Sequence, residues 1–138
     1  MKLVLDNNIF FSLMNPNSVN SYLFSLLNVK LSAPEYIKEE LKEHKSECLT
    51  KSNLSEHEFE IRQKEIENNI EFFELSKYKA FLKEAINSLS DHEDSPYLAL
   101  ALSINASIWS NDQHLTIQSL VDVYKTEDLF KMMLDKGV

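Results

Sequence analysis

Four acidic residues, Asp6, Glu40, Asp94 and Asp112, stand where carboxylates can do more than face water. Asp6 directly follows an apolar run, Lys2 to Leu5, and Asp112 comes two residues after another, Ala106 to Ser110. In an open parallel sheet the ligand crevice lies outside the carboxyl ends of the strands, so both aspartates fall where such a fold places a site. Asp94 opens an apolar segment and shares a helical face with Tyr97, Leu98 and Ala101, which turns it inward. Glu40 lies on the stripe Ile37, Glu40, Leu41, His44, continued by Cys48, whereas Glu35, Glu39, Glu43 and Glu47 fall on the wet side of the same helix. A carboxylate on a buried stripe is costly unless something pairs with it.

Gathering such groups is unfavourable by itself: two like charges about 4 Å apart repel by roughly 4 kcal/mol at an effective dielectric near 20. A divalent cation reverses the sign. Oxygen-only donors select a hard ion, Mg2+ or Mn2+, which binds through a few carboxylates and keeps several waters. Such ions activate water and neutralise charge on a phosphate under attack, which is the chemistry of phosphodiester hydrolysis. No glycine-rich phosphate loop or serine triad competes with this reading. The plain structural alternative is that each acid caps a helix or sits in solvent; Asp94 beside Ser95-Pro96 is a natural N-terminal helix acid.

The elements that must position these acids alternate between strand and helix, the pattern of an α/β domain with a parallel sheet of four to five strands. Strands are expected at Lys2 to Leu5, Val29 to Ser32, Ile70 to Leu75, Ala106 to Ser110 and, at an edge, Val121 to Tyr124. Helices are expected after Asp6, over Val19 to Leu27, from Pro34 to about Cys48, from the capping box Ser55-Glu56-His57-Glu58 to about Asn69, and from about Lys77 to Leu89. Three more begin at Asp94, after Asp112 and at Thr126, which reads as a cap. Residues 1–138 are expected to form one domain.

Composition sets the outer bounds. Apolar residues make up 43% of the chain, enough for a packed core. Neither a signal peptide nor a membrane span is expected from the apolar runs, and a single cysteine, Cys48, fits a reducing, cytoplasmic setting. The formal charge of −8 speaks at first against a nucleic-acid partner. Twelve acids and six bases lie between Glu35 and Glu74, however, and with Asp6, Asp94 and Asp112 set aside as ligands the remainder is nearly neutral.

With those residues in place, the chain resembles the PIN-domain nucleases. Leu3-Val4-Leu5-Asp6-Asn7-Asn8-Ile9 is similar to their opening strand and aspartate. Ala33-Pro34-Glu35-Tyr36-Ile37-Lys38-Glu39-Glu40-Leu41 is similar to their second motif, whose glutamate falls at Glu40. Asp91-His92-Glu93-Asp94-Ser95-Pro96-Tyr97 resembles the third, with its acid at Asp94, and Trp109-Ser110-Asn111-Asp112 the fourth. The resemblance spans nearly the whole chain. It implies a three-layer α/β/α fold, Mg2+- or Mn2+-dependent RNA cleavage by Asp6, Glu40, Asp94 and Asp112, and frequent homodimers. Many relatives are VapC-type toxins neutralised by an antitoxin. Asn7 replaces the usual threonine or serine, and His114 stands where many relatives have another aspartate. The alternative from another class is a PIN-like module that binds RNA or protein without catalysis.

Supporting roles follow for Asn8, which could hold Asp6 or a water, and for Ser110 and Asn111 at the strand end. His44 is read as a core histidine or a support for Glu40, and Asp91 and Glu93 as solvated loop acids. His92 and His114 lack zinc-ligand spacing. Lys77, Lys79 and Lys83 form the densest basic run and are a candidate RNA contact. Cys48 and Trp109 are read as packing residues, and Met132 and Met133 as dimer or core contacts.

Overall fold

The computed structural model describes residues 1–136. Strand β1 (Lys2–Leu5) is buried along its apolar residues and runs into Asp6, whose carboxylate accepts from the Ile9 backbone N–H at 2.8 Å and so starts α1 (Asn7–Leu13). Helix α2 (Val19–Leu26) is capped by Ser18. Then come β2 (Lys30–Pro34), α3 (Tyr36–Ser52) and α4 (Glu56–Glu67), the last opened by the expected reciprocal bonds between Ser55 and Glu58. Strand β3 (Ile70–Phe73) leads into α5 (Leu75–Tyr78), a 3-10 turn (Lys79–Phe81) and α6 (Leu82–Ser88). A second 3-10 turn (His92–Asp94) precedes α7 (Ser95–Ile104), β4 (Ser107–Trp109), α8 (Gln113–Thr116), β5 (Val123–Tyr124) and α9 (Thr126–Lys136).

The five strands form one parallel sheet in the order β3-β2-β1-β4-β5, flanked by helices in the three-layer arrangement expected. The chain builds outward from β1 to β3, then crosses back to place β4 on the other side of β1. That reversal makes the carboxyl ends of β1 and β4 the topological switch point, the place where this architecture leaves a crevice. The core is continuous across the sheet: Leu3, Val4, Leu5, Phe10, Tyr97, Leu98, Ile108 and Trp109 are wholly buried. Among the described residues no helix is long and apolar enough to cross a membrane.

Four local readings need correction. Pro34 ends β2 instead of opening a helix. It lies opposite Phe73, and the residue before a proline is biased toward extended backbone, which extends the strand through Ala33. Helix α3 runs a turn beyond Cys48, to where Asn53 adopts the left-handed conformation (φ 57°) that ends it. The helix expected from Lys77 to Leu89 is interrupted by the 3-10 turn Lys79–Phe81, because the backbone leaves helical angles at Tyr78, whose side chain is buried.

Thr126 is the fourth. It does not cap α9; its hydroxyl accepts from Trp109 Nε1 and Asn111 Nδ2, each at 3.0 Å, and donates to Asn20 Oδ1 at 2.6 Å. Asp128 caps the helix instead, accepting from the Lys125 N–H. Replacing Thr126 by valine leaves the buried Trp109 N–H without a partner and should cost about 1–3 kcal/mol in urea unfolding. A loss below about 0.5 kcal/mol, the size of a neutral surface change, would contradict this account.

Candidate metal centre

The register of the sheet builds the centre. β1 pairs with β4 so that Leu5 lies opposite Trp109, and the next residues, Asp6 and Ser110, are thereby neighbours. The Asp6 backbone N–H donates to the Trp109 carbonyl, and Ser110 Oγ, wholly buried, donates to Asp6 Oδ2 while accepting from the Asp112 N–H at 2.9 Å. One serine therefore ties two of the predicted acids together. Asp112 also starts α8, accepting from the His114 N–H at 2.8 Å.

Asp94 arrives from the side. Helix α7 packs on β1 and β2, and Asp94 precedes its first residue, 6% exposed, with no capping bond from its side chain. Its Oδ2 is buried without a hydrogen-bond partner. The capping explanation thus holds for one oxygen each of Asp6 and Asp112 and fails for Asp94. Asp91 takes the turn-capping role at that end, accepting from the Glu93 N–H at 3.0 Å.

Burial pushes the Asp6 carboxyl up to about 6 against the pull of the Ser110 and Ile9 hydrogen bonds, with the Asp112 charge adding to the rise. Asp94 is pushed up to about 7, first by burial and then by the charges of Asp112, Asp91 and Asp6. The three aspartates therefore share one electrostatic site.

Glu40 is buried on α3 beside Ile37 and Leu41. One turn after Asp94 comes Tyr97, wholly buried and with an unpartnered hydroxyl. Burial raises the Tyr97 phenol far above its ordinary range, and the charges of Glu40 and Asp6 raise it further. Sequence reading placed Tyr97 on the inward face but gave it no function. The signal was present: a phenol at i+3 from a candidate ligand needs a partner for its hydroxyl when buried. Asp94 and Tyr97 carry the two buried side-chain oxygens without partners found among the described residues.

Other expected contributors divide. Asn8 is at the rim, lining a cavity of about 650 Å3 that opens on Asp94 and Asp112; its side chain makes no hydrogen bond within the described residues. Asn111 faces away: both its amide atoms bond Thr126, so it anchors α9 and does not support the acids. His44 is not inward, since its side chain is 46% exposed, paired with Glu47 at 3.7 Å and packed on Phe11. At that point of the α3 stripe, Phe11 of α1 touches the His44 ring and still leaves it largely exposed. His114 is exposed and bonds Ser90. Lys77, Lys79 and Lys83 are exposed on α5, the 3-10 turn and α6, and none lines the cavity. Arg62 is spent on the Leu13 carbonyl and Ser21 hydroxyl.

The donor set suits a hard divalent cation: all-oxygen ligands, raised carboxyls and an unpartnered buried oxygen on Asp94. No three of the four acids bring ligand atoms within 4.8 Å of one another; among the described residues only Glu40, Glu43 and His44 do. An ion that keeps several waters needs no tight all-protein triad.

The profile of the PIN domain family matches residues 4–131. The chain belongs to the PIN-domain family. PIN domains are generally nucleases. A search of curated proteins found no match. Among solved structures, this PIN domain is similar in fold to a chain of VapBC2 from Rickettsia felis bound to a promoter DNA fragment, at 14% identity and TM-score 0.67, covering 91% of this chain and 98% of that one. It is also similar to a chain of FitAcB from Neisseria gonorrhoeae, at 15% identity and TM-score 0.58, covering 92% and 99%.

A raised carboxyl pKa favours folding below its unfolded value and loses that contribution as pH rises through the folded one. Metal-free protein should therefore lose stability between about pH 4 and pH 7 from these two groups, with Asp6 accounting for on the order of 3 kcal/mol. Urea midpoints measured with chelator should fall more steeply over this range in wild type than in Asp94→Asn. Identical slopes would remove the shared charge site.

Proposed function

We propose that this PIN-domain protein is an endoribonuclease dependent on Mg2+ or Mn2+, the toxin of a toxin–antitoxin pair acting in the cytoplasm. The observation that carries the reading is Asp94: a buried carboxyl at a helix start that caps nothing, leaves an oxygen without a partner and feels the charges of Asp112 and Asp6. A catalytically dead fold gains nothing from that arrangement.

Asp6, Asp94 and Asp112 would hold the cation, with Glu40 completing the acid set from α3. When bound, the cation activates water and neutralises charge on the scissile phosphate. The chain's own residues do the positioning. Ser110 holds Asp6 in one orientation while fixing the backbone at Asp112. Tyr97 carries a buried hydroxyl without a partner among the described residues, a donor left for a ligand or water held at the acids. The excess of acid on α3 and α4 leaves single-stranded or structured RNA to be gripped mainly through the cation, and the exposed Lys77, Lys79 and Lys83 are assigned to phosphates outside the cavity, on elements packed against α7.

The partner reading rests on the two similar structures, which are described as complexes, and on the apolar surface here. Val19, Tyr22 and Leu26 of α2 are exposed next to α9, where Tyr22 stacks on Phe130 at 6.1 Å and Leu134 is exposed. An antitoxin segment covering that face, on a homodimer of this chain, is the arrangement proposed.

Titration of Mg2+ or Mn2+ into purified protein with labelled RNA tests the enzyme. Since groups that merely orient ligands contribute about 10–100-fold, loss of a direct ligand in Asp94→Asn should lower cleavage by about 100-fold or more, with the fold retained. Metal-independent or equal cleavage by both proteins would sink the reading. Tyr97→Phe separates positioning from packing: cleavage should fall about tenfold while stability holds or rises, because an unpaired buried hydroxyl is removed. Full activity in Tyr97→Phe would show that the hydroxyl positions nothing.

A further inference from the structure

The cavity that opens on Asp94 and Asp112, and that neither Asp6 nor Glu40 lines, is larger than an ion and its waters require. Its volume is about 650 Å3, where a water occupies roughly 30 Å3. It runs from Asp94 and Asp112 along the channel between α1 and α3. There Phe11 and His44 meet with ring centroids 5.3 Å apart and planes tilted by 40°. Both rings line the cavity, together with Asn8. Glu47 Oε2 lies 3.7 Å from His44 Nδ1, and Phe11 packs against the core.

The charges of this channel decide what it can take. Its one basic side chain, Lys51, is already paired with Glu47 at 3.1 Å. Asp91 and Glu93 stand at the acid end. A phosphate lodged against Phe11 would meet no free cation and several carboxylates. A neutral, flat, hydrogen-bonding group meets two aromatic rings and an uncommitted amide. That is the chemistry of a nucleobase, since unpaired bases bind by stacking on Phe, Tyr, Trp or His while their edges bond polar side chains.

We propose that Phe11 and His44 form a stacking subsite for one base of a single-stranded RNA whose neighbouring phosphodiester lies at the acid centre, with Asn8 reading the base edge. The subsite rests on the nuclease reading. It also gives an acidic protein a grip on RNA that needs no arginine: the cation takes a phosphate and the rings take a base.

The test uses the full chain, Mn2+ and a short labelled single-stranded RNA, alongside the same strand with one abasic residue stepped along its length. Phe11→Leu keeps apolar volume and removes the ring; His44→Ala alters an exposed side chain and leaves the core untouched. Each variant should raise KM for the intact strand by about 5- to 100-fold. One abasic position should raise the wild-type KM equally, and on that strand wild type and Phe11→Leu should converge. Equal KM for wild type and both variants on intact RNA overturns the subsite while the nuclease reading stands. Unchanged RNA kinetics with lost binding of an arginine-rich peptide in Phe11→Leu assigns the face to a protein partner, and also overturns it. No cleavage of any strand by wild type overturns both readings.

Discussion

The pairing of β1 with β4 is the constraint from which the rest follows. Once Leu5 lies opposite Trp109, the backbone ladder carries Asp6 and the Ser110–Asp112 segment to the same end of the sheet, whatever their charges prefer. Apolar strands that are buried on both faces supply the driving force for that register. The sheet thereby holds acids out of water near one another, and the carboxyls of Asp6 and Asp94 are raised first by that burial and then by the neighbouring charges.

What distinguishes a site from a set of helix caps is how the oxygens are used. Asp6 and Asp112 each commit one oxygen to starting a helix, and Ser110 binds the other oxygen of Asp6. Asp94 commits neither oxygen to the cap of α7. Caps and site therefore coexist: the bonds that start α1 and α8 also hold two acids still, and the third keeps a buried oxygen without a partner. Tyr97 extends the same logic by one helical turn, bringing a donor among acceptors. The net acidity of the chain is compatible with this role because it belongs chiefly to the outer surfaces of α3 and α4.

The order of strands and helices was legible because each strand is a short apolar run set between helical patterns, and β1 and β4 each end just before an aspartate that caps the next helix. Inward placement of Glu40 and Asp94 was legible from helical spacing alone. Three kinds of detail were not. Pro34 suits a strand end or a helix start, and only the pairing with β3 decides between them. Thr126 and Asn111 both look like local capping or rim residues, yet their partners are each other, Trp109 and Asn20, contacts that span the chain. His44 follows the stripe of α3 but lies where α1 leaves that stripe open. Periodicity reports which way a side chain points along its own helix; it does not report what the neighbouring element covers. Tyr97 escaped for the opposite reason, since a buried aromatic ring reads as packing until its hydroxyl is found without a partner.

The central claim is that Asp6, Asp94 and Asp112 are gathered to hold a cation. Anomalous diffraction from crystals soaked in Mn2+ tests it directly. A peak within about 2 Å of the open oxygen of Asp94, shared with the other two aspartates, is the result expected. Density for the metal only beside Glu40, Glu43 and His44, or none at Asp94, would contradict it.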